Sequence, residues 1–341
     1  MTGDSARDPA EDLRAIAFCL ERALEPSYRV KAFRGAAALL DGLTRHELQH
    51  RADSGSLEEL PGIGKVTALV ITESLGGEEP NYLRRVATLG ETSVSEGAAA
   101  LRSALQGDCH VHSDWSDGGS PIEEMARAAR DLGHSYMVLT DHSPRLTVAH
   151  GLSPERLRDQ LVVVARLNEE LAPFRILTGI ECDILEDGSL DQEPELLAQL
   201  DLVVASVHSK LRMASADMTP RMVAAISNPH TDVLGHCTGR MVKGKGRPES
   251  EFDAELVFAA CTQFDVAVEV NSRPERLDPP KRLLRLAVEA GCKVAIDTDA
   301  HAPGQLSWQH LGCERAHLSG VTVDRVVNAW SAEQLLAWTA R

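Results

Sequence analysis

The chain has 341 residues, 43% of them hydrophobic and 25% charged, an ordinary globular composition with room for two domains. Its formal charge of −16 speaks against a broadly basic nucleic-acid surface, although bound divalent cations would cancel part of that charge locally. Seven cysteines without CxxC pairs argue against a disulfide framework and a zinc finger, and no apolar run approaches the roughly 18 residues of a membrane span.

The polar start, MTGDSARDPAEDLR, has no apolar signal core, so a cytoplasmic protein is expected. Residues 8–85 read as helices joined by short turns. Leu13, Ile16, Ala17, Leu20 and Leu24 recur at helical spacing, and the Ala-rich stretch 30–43 is similar. Leu60-Pro61-Gly62-Ile63-Gly64-Lys65 then lies between two helical segments. Two glycines around one apolar residue make a tight hairpin, and its backbone N–H groups at a helix start form a nest for a phosphate. Through this string and Lys31-Ala32-Phe33-Arg34-Gly35-Ala36-Ala37, the block resembles the N-terminal helix-hairpin-helix domain of family X DNA polymerases. The resemblance implies DNA-backbone binding at Gly62, Gly64 and Lys65. Lyases of that family carry a Schiff-base lysine in the helix after the hairpin. Val70 stands at the matching position, so binding is expected and lyase chemistry is not. Residues 86–106 are expected to be a linker, too short for a polymerase palm, which excludes templated nucleotide addition.

From 107 to 341 the pattern becomes strand, loop, helix, repeated. Ser120-Pro121, Ser153-Pro154, Thr219-Pro220 and Asp278-Pro279 each pair a capping residue with a proline at the first helical position. Short strands are expected at 109–111, 136–140, 175–180, 202–207, 232–235, 266–270 and 293–296. Strands alternating with helices predict an α/β fold with a parallel sheet, here closed as a βα barrel.

Such barrels place their sites at the carboxyl ends of the strands. Reading there gives His110 and His112 with Asp117 in the next loop, then Asp141 and His142, Glu181, His208, His236, Glu269 and Asn271, and finally Asp299 and His301. Six of the 13 histidines fall at successive strand ends beside carboxylates, a placement that metal binding explains and chance does not. Imidazole with carboxylate, without thiolate pairs, suits zinc, manganese or iron. Nine ligands are too many for one tetrahedral ion, so two or three divalent ions are expected, with positions left for water and substrate. Such a cluster deprotonates water near neutral pH for in-line attack on phosphorus. Arg240, four residues after His236, is a candidate to grip a phosphate oxygen, with Lys210 and Arg212 as weaker candidates. Lys243, Lys245 and Arg247, spaced by Gly244 and Gly246, form a basic loop, the one local exception to the acidic charge, suited to a nucleic-acid backbone. Cys109, Cys182 and Cys237 are read as buried small side chains.

The motifs D-C-H-V-H-S-D-W-S-D-G, L-T-D-H-S, G-I-E-C-D-I, V-A-S-V-H-S, L-G-H-C-T-G-R and I-D-T-D-A-H, in this order, resemble those of the polymerase and histidinol phosphatase (PHP) family. Ala300 and the tail 326–338 resemble in particular the PHP domain of bacterial family X DNA polymerases, with the catalytic middle absent, although Cys237 stands where those relatives usually carry proline. The resemblance implies a distorted seven-stranded barrel with a trinuclear site. His110, His112, Glu181 and Asp299 would hold one ion, Glu181 would bridge to a second with His208 and His236, and Asp117, His142 and His301 would hold a third. Asp141 and Asp114 would orient ligands. The leading expectation is a metal-dependent phosphoesterase acting at DNA ends, as a 3′–5′ exonuclease or in 3′-end processing during repair, with Glu181, Asp299 and Arg240 at the chemistry. The acidic charge favours a second reading, a small-molecule phosphomonoesterase of the histidinol-phosphatase type. A third, a non-catalytic DNA-binding module, is disfavoured by the complete ligand set.

Overall fold

The computed structural model describes residues 7–340, which divide into two units, the first ending at Ser93 and the second beginning at Val94. The first unit is helical: α1 Pro9–Arg22, α2 Ser27–Leu40, α3 Arg45–Ser54, α4 Lys65–Leu75 and α5 Asn81–Val86. Asp8 starts α1 by accepting from Ala10 N, and Thr44 and Glu47 start α3 with a reciprocal capping box. The stripe Leu13, Ile16, Ala17 and Leu20 of α1 meets Phe33, Ala36, Ala37 and Leu40 of α2 and Val70, Ile71 and Leu75 of α4 in one buried cluster. Each aliphatic side chain buried there contributes about 1.5–3 kcal/mol. Val70 is thus a core residue of this unit.

The second unit opens with α6 Glu96–Ala104, so much of the stretch expected as a linker is a helix. Ser95 caps it, and Ala98, Leu101 and Leu105 bury against Cys313, Ala316 and Val294. The strands β1 Gly107–Val111, β2 Tyr136–Leu139, β3 Arg175–Asp183, β4 Leu202–Ser206, β5 Val233–Leu234, β6 Ala267–Asn271 and β7 Val294–Asp297 then pair in parallel and in chain order. Between and after them come α7 Ile122–Asp131, α8 Pro154–Leu171, α9 Pro194–Leu197, α10 Ser215–Ile226, α11 Ala254–Gln263, α12 Lys281–Glu289, α13 Gln309–His317 and α14 Ala332–Thr339. This is the expected α/β architecture, a nearly closed barrel. No described helix is long and apolar enough to cross a membrane.

Of the four proline signals, one acts as expected. Ser153 caps α8, accepting from Arg156 N with Pro154 at the first position. Ser120 lies one residue too early for α7, and its carbonyl accepts from Asp114 N instead. Thr219 and Pro220 fall inside α10, where the Thr219 hydroxyl accepts from Asp253 N. The Asp278 carboxylate serves Thr238 and the Arg240 N–H, and α12 begins after it without a side-chain cap. For Thr219 and Asp278 a longer-range partner takes the side chain that would have capped.

No ladder joins β1 to β7 among the described residues, and side chains seal that seam. Asn328 donates to Gly107 O at 3.1 Å and Ile296 O at 2.8 Å and accepts from Ile296 N, while Gln309 donates to the same two carbonyls. Asp108 accepts from both N–H and hydroxyl of Thr298. Above this, His112 N reaches Ala300 O at 2.9 Å.

The barrel interior is layered. Val138, Leu177, Val204, Val233, Ala267 and Ala295 form an inner apolar cluster with Cys109. Further along the same strands, on the alternate positions that share this face, stand Glu181, Glu269, Asn271, Asp297 and Asp299. The space is narrow: a Cβ on Gly235 would come within 2.2 Å of Ser206 Oγ. Register between β1 and β2 shifts between Asp108 and Val111. That bulge lets Cys109 join the inner cluster while Val111 packs outward against Ile122 and Met125.

Candidate metal centre

Glu181, at the end of β3, is 1% exposed and is ringed by five imidazoles. Its Oε2 faces His142 Nδ1 at 2.9 Å, His110 Nε2 at 3.3 Å and His112 Nε2 at 3.5 Å. Its Oε1 faces His236 Nε2 at 2.8 Å and His208 Nε2 at 3.2 Å. Asp299 Oδ1 lies 3.5 Å from His112 Nε2 and 3.5 Å from His301 Nδ1. Asp117 Oδ1 closes the group, 3.2 Å from His301 Nε2 and 3.5 Å from His142 Nε2. All nine residues singled out as ligands therefore converge in one cluster of side chains.

The donor set fits divalent metal. Both Glu181 oxygens, His110 Nε2, both ring nitrogens of His112, His208 and His236, and His142 Nδ1 are buried without a hydrogen-bond partner. Their mutual contacts are close but not aligned for proton sharing. Buried polar atoms are normally paired, and lone pairs converging on a common point are what a cation satisfies. Three overlapping groups have ligand atoms within 4.8 Å of one another: His112, Asp117, His142 and His301; His110, His112 and Glu181; and His142, Glu181 and His208.

The charges of the site are interlocked. Burial alone would raise Glu181, but His110, His208 and His142 hold its carboxyl well below the usual range. Burial opposes charge on His110, yet Glu181 and Glu269 push it well above the usual imidazole value. His208 is likewise carried up to about 9, against burial, by Glu181 and Asp183. His112 goes the other way, lowered by burial and by His301 and His142. Asp299 stays low despite burial because Arg276 and Arg273 stand beside it. It also holds φ at 53°, a costly backbone setting for a residue with a side chain, of the kind that clusters at functional sites.

Around the ligands stand residues that orient them. Glu269 takes His110 Nδ1 at 2.6 Å and the backbone N–H of His236 at 2.5 Å. Asn271 Nδ2 bridges Glu269 at 3.3 Å and Asp299 at 3.1 Å. Asp183 takes the His208 N–H at 3.1 Å. Asp141 gathers Ser113, Ser116 and Gln160, shaping the loop that presents Asp117, while Asp114 is exposed. All seven cysteines are buried and free.

Arg240 is not free to grip a phosphate. Its guanidinium donates to Arg276 O, Leu277 O and Glu249, bracing one loop against another. Lys210 is exposed, 3.9 Å from Glu186. The arginines that do reach the centre are Arg276, with Nε 2.9 Å from Asp299 Oδ2, and Arg273, with Nη1 3.2 Å from Asp299 O and 3.1 Å from His301 Nδ1. Arg276 Nε and Nη1 are buried without a hydrogen-bond partner. Sequence reasoning missed both, although they directly follow the sixth strand end, where the strand-end rule pointed.

In the helical unit, Gly62 turns with φ of 85°, a setting glycine takes without penalty, and Gly64 precedes α4. The Gly64 N–H is already donated to Thr67 Oγ1 at 2.9 Å, contrary to its expected place in a phosphate nest. The free donors at this corner are those of the first turn of α4, beginning at the exposed Lys65.

Residues 108–273 match the PHP domain and residues 5–79 a helix-hairpin-helix domain. A probable phosphatase of Thermoanaerobacter sp. is 30% identical over 232 residues, 65% of this chain and 89% of that one. The chain belongs to the PHP family of metal-dependent phosphoesterases. The "DNA polymerase/3'-5' exonuclease PolX" of Bacillus subtilis is 39% identical over 237 residues, 70% of this chain but 41% of that protein. The present chain therefore spans less than half of that relative's length, and between Ser93 and the start of β1 at Gly107 there is no room for a polymerase palm. Among solved structures, the histidinol phosphate phosphatase of Lactococcus lactis, complexed with zinc, L-histidinol and phosphate, aligns at TM-score 0.45 and 15% identity, covering 64% of this chain and 95% of that one.

Proposed function

We propose that this PHP protein hydrolyses phosphoester bonds at DNA ends, as a 3′–5′ exonuclease or 3′-end processing enzyme. The observation that carries the chemistry is the ring of five imidazoles around the buried Glu181 carboxylate. His110, His112, Glu181 and Asp299 would hold one divalent ion, Glu181 with His208 and His236 a second, and Asp117, His142 and His301 a third. Zinc, manganese or iron suit this mixture of nitrogen and oxygen donors. Bound there, the ions supply Lewis acidity and water activation, so no serine or cysteine nucleophile is required.

The chain's own residues supply the rest. Glu269 fixes the ring of His110 through Nδ1 and leaves Nε2 for the ion. Arg276, whose Nε stands 2.9 Å from Asp299 Oδ2 while its Nη1 is buried without a hydrogen-bond partner, takes the role expected of Arg240 and grips a non-bridging phosphate oxygen. The barrel's narrow interior below Glu181 is filled by apolar side chains, so substrate and water enter from the strand ends.

The helix-hairpin-helix match and the exonuclease name of the Bacillus subtilis relative support a DNA substrate. A small phosphomonoester, as in a histidinol phosphatase, is the second reading, favoured by the net charge of −16 and by the probable phosphatase that the chain matches along 89% of its length. A purely DNA-binding role conflicts with nine ligand positions all filled. The deciding experiment loads the full chain with Mn²⁺ or Zn²⁺ and offers 5′-labelled single-stranded or primer-end DNA beside histidinol phosphate. Shortening of the DNA, stopped by EDTA, is the expected result. Brisk release of phosphate from histidinol phosphate with the DNA left whole overturns the DNA assignment.

A further inference from the structure

We infer that the hairpin 241–247, in the loop after β5, guides a polyanionic strand into the metal centre; this rests on the DNA-end reading above. Met241 and Arg247 pair as an antiparallel bridge, each N–H on the other's carbonyl at 3.0 and 2.9 Å. Gly244 and Gly246 turn the tip with φ of 71° and 68°. The base is held firmly. Arg247 Nε donates to Gly239 O at 2.5 Å, and Val242 N donates to Glu275 O at 2.6 Å. Glu275 lies between Arg273 and Arg276, whose guanidiniums stand against Asp299. The hairpin is thereby pinned to the loop that forms one wall of the centre.

Charge at its tip opposes that of the chain as a whole. The nearby carboxylates are engaged: Glu249 with Arg240 and Arg282, and Glu275 with Arg273. Lys243 and Lys245 make no ion pair or hydrogen bond with any described residue, and Val242 beside them is 49% exposed. Two free ammoniums one residue apart, at the mouth of a phosphoester site on a chain of net charge −16, match a run of phosphates. Val242 offers an apolar surface to the sugars between them. A small phosphoester would be held at the strand ends beside Arg276 without needing the hairpin, so on this proposal the hairpin discriminates between polymer and monomer.

The test uses the full Mn²⁺-loaded chain, a 5′-labelled single-stranded oligonucleotide and bis-p-nitrophenyl phosphate. K243A/K245A is expected to raise KM for the oligonucleotide roughly five- to tenfold. The slope of log KM against log salt should fall by about 1.4, the value for two lost single-strand phosphate contacts. Hydrolysis of bis-p-nitrophenyl phosphate should stay at the wild-type rate. K243R/K245R, which keeps the charge, should restore both the KM and the salt slope. Unchanged KM and slope in K243A/K245A, with wild type shortening the oligonucleotide, overturn the hairpin role and leave the DNA reading standing. A wild-type protein that cleaves the small diester and never the oligonucleotide overturns both.

Discussion

Two buried polar clusters adjoin in the barrel, one in the β1–β7 seam and one at the carboxyl ends of the strands. In the seam, Asn328, Gln309 and Asp108 are bonded to backbone carbonyls and amides, and only Asp297 Oδ2 and Gln309 Oε1 lack a partner. Burial and the nearby Asp108 and Glu269 raise the Asp297 carboxyl well above its usual value. At the strand ends, a comparable set of buried side chains leaves both Glu181 oxygens and most imidazole nitrogens unpaired. Satisfied polar groups hold a structure together; unsatisfied ones that converge mark a place for a ligand. The same strands serve both purposes within a few residues, as Asp297 faces the seam and Asp299 the centre.

That contrast can be broken in several ways. Glu181→Gln should remove the shared carboxylate of the centre and lower turnover by about 10³-fold or more. Elemental analysis of the same variant should show lost metal, and full metal content with normal turnover would refute the assigned site. Arg276→Ala should cost about 10²-fold in kcat/KM with metal content unchanged, whereas Arg240→Ala should act mainly on stability because it braces a loop. Equal kinetic losses in the two would refute the reassignment. Glu269→Gln weakens the hold on His110, and metal affinity should fall about 10- to 100-fold in a chelator competition. In the seam, Asn328→Ala leaves Ile296 N without its partner, while Gln309 still serves the two carbonyls, so urea unfolding should show a loss of about 1–3 kcal/mol while metal content stays full. A stable variant that loses metal instead would erase the distinction between seam and centre.

A different effect concerns a histidine outside both clusters. Burial, with Arg102 beside it, lowers His134 to about 3. The unfolded chain, with an ordinary value of about 6.5, takes up the proton first as pH falls. Stability from this site is thus complete above about 6.5 and lost as pH drops toward about 3. His134→Gln should flatten that part of the acid unfolding curve relative to wild type, and an unchanged slope would show the ring to be accessible.

The sequence by itself determined a good deal of this protein. Strand-end histidines and carboxylates at 110, 112, 117, 142, 181, 208, 236, 299 and 301 were legible because a parallel βα barrel brings every strand's carboxyl end to one face. Helices such as α1 were legible because their apolar spacing and caps are local. Only the tertiary structure decided what depends on partners distant in the chain. Arg240 and Arg276 are both arginines in strand-end loops, and nothing local tells which one bonds carbonyls and which faces Asp299. Thr219 and Asp278 carry cap-like signals, yet Asp253 and Thr238 claim their side chains from 34 and 40 residues away. The β1–β7 seam is sealed by Asn328, 221 residues from Gly107, because a nearly closed barrel leaves backbone groups that burial forces some side chain to satisfy.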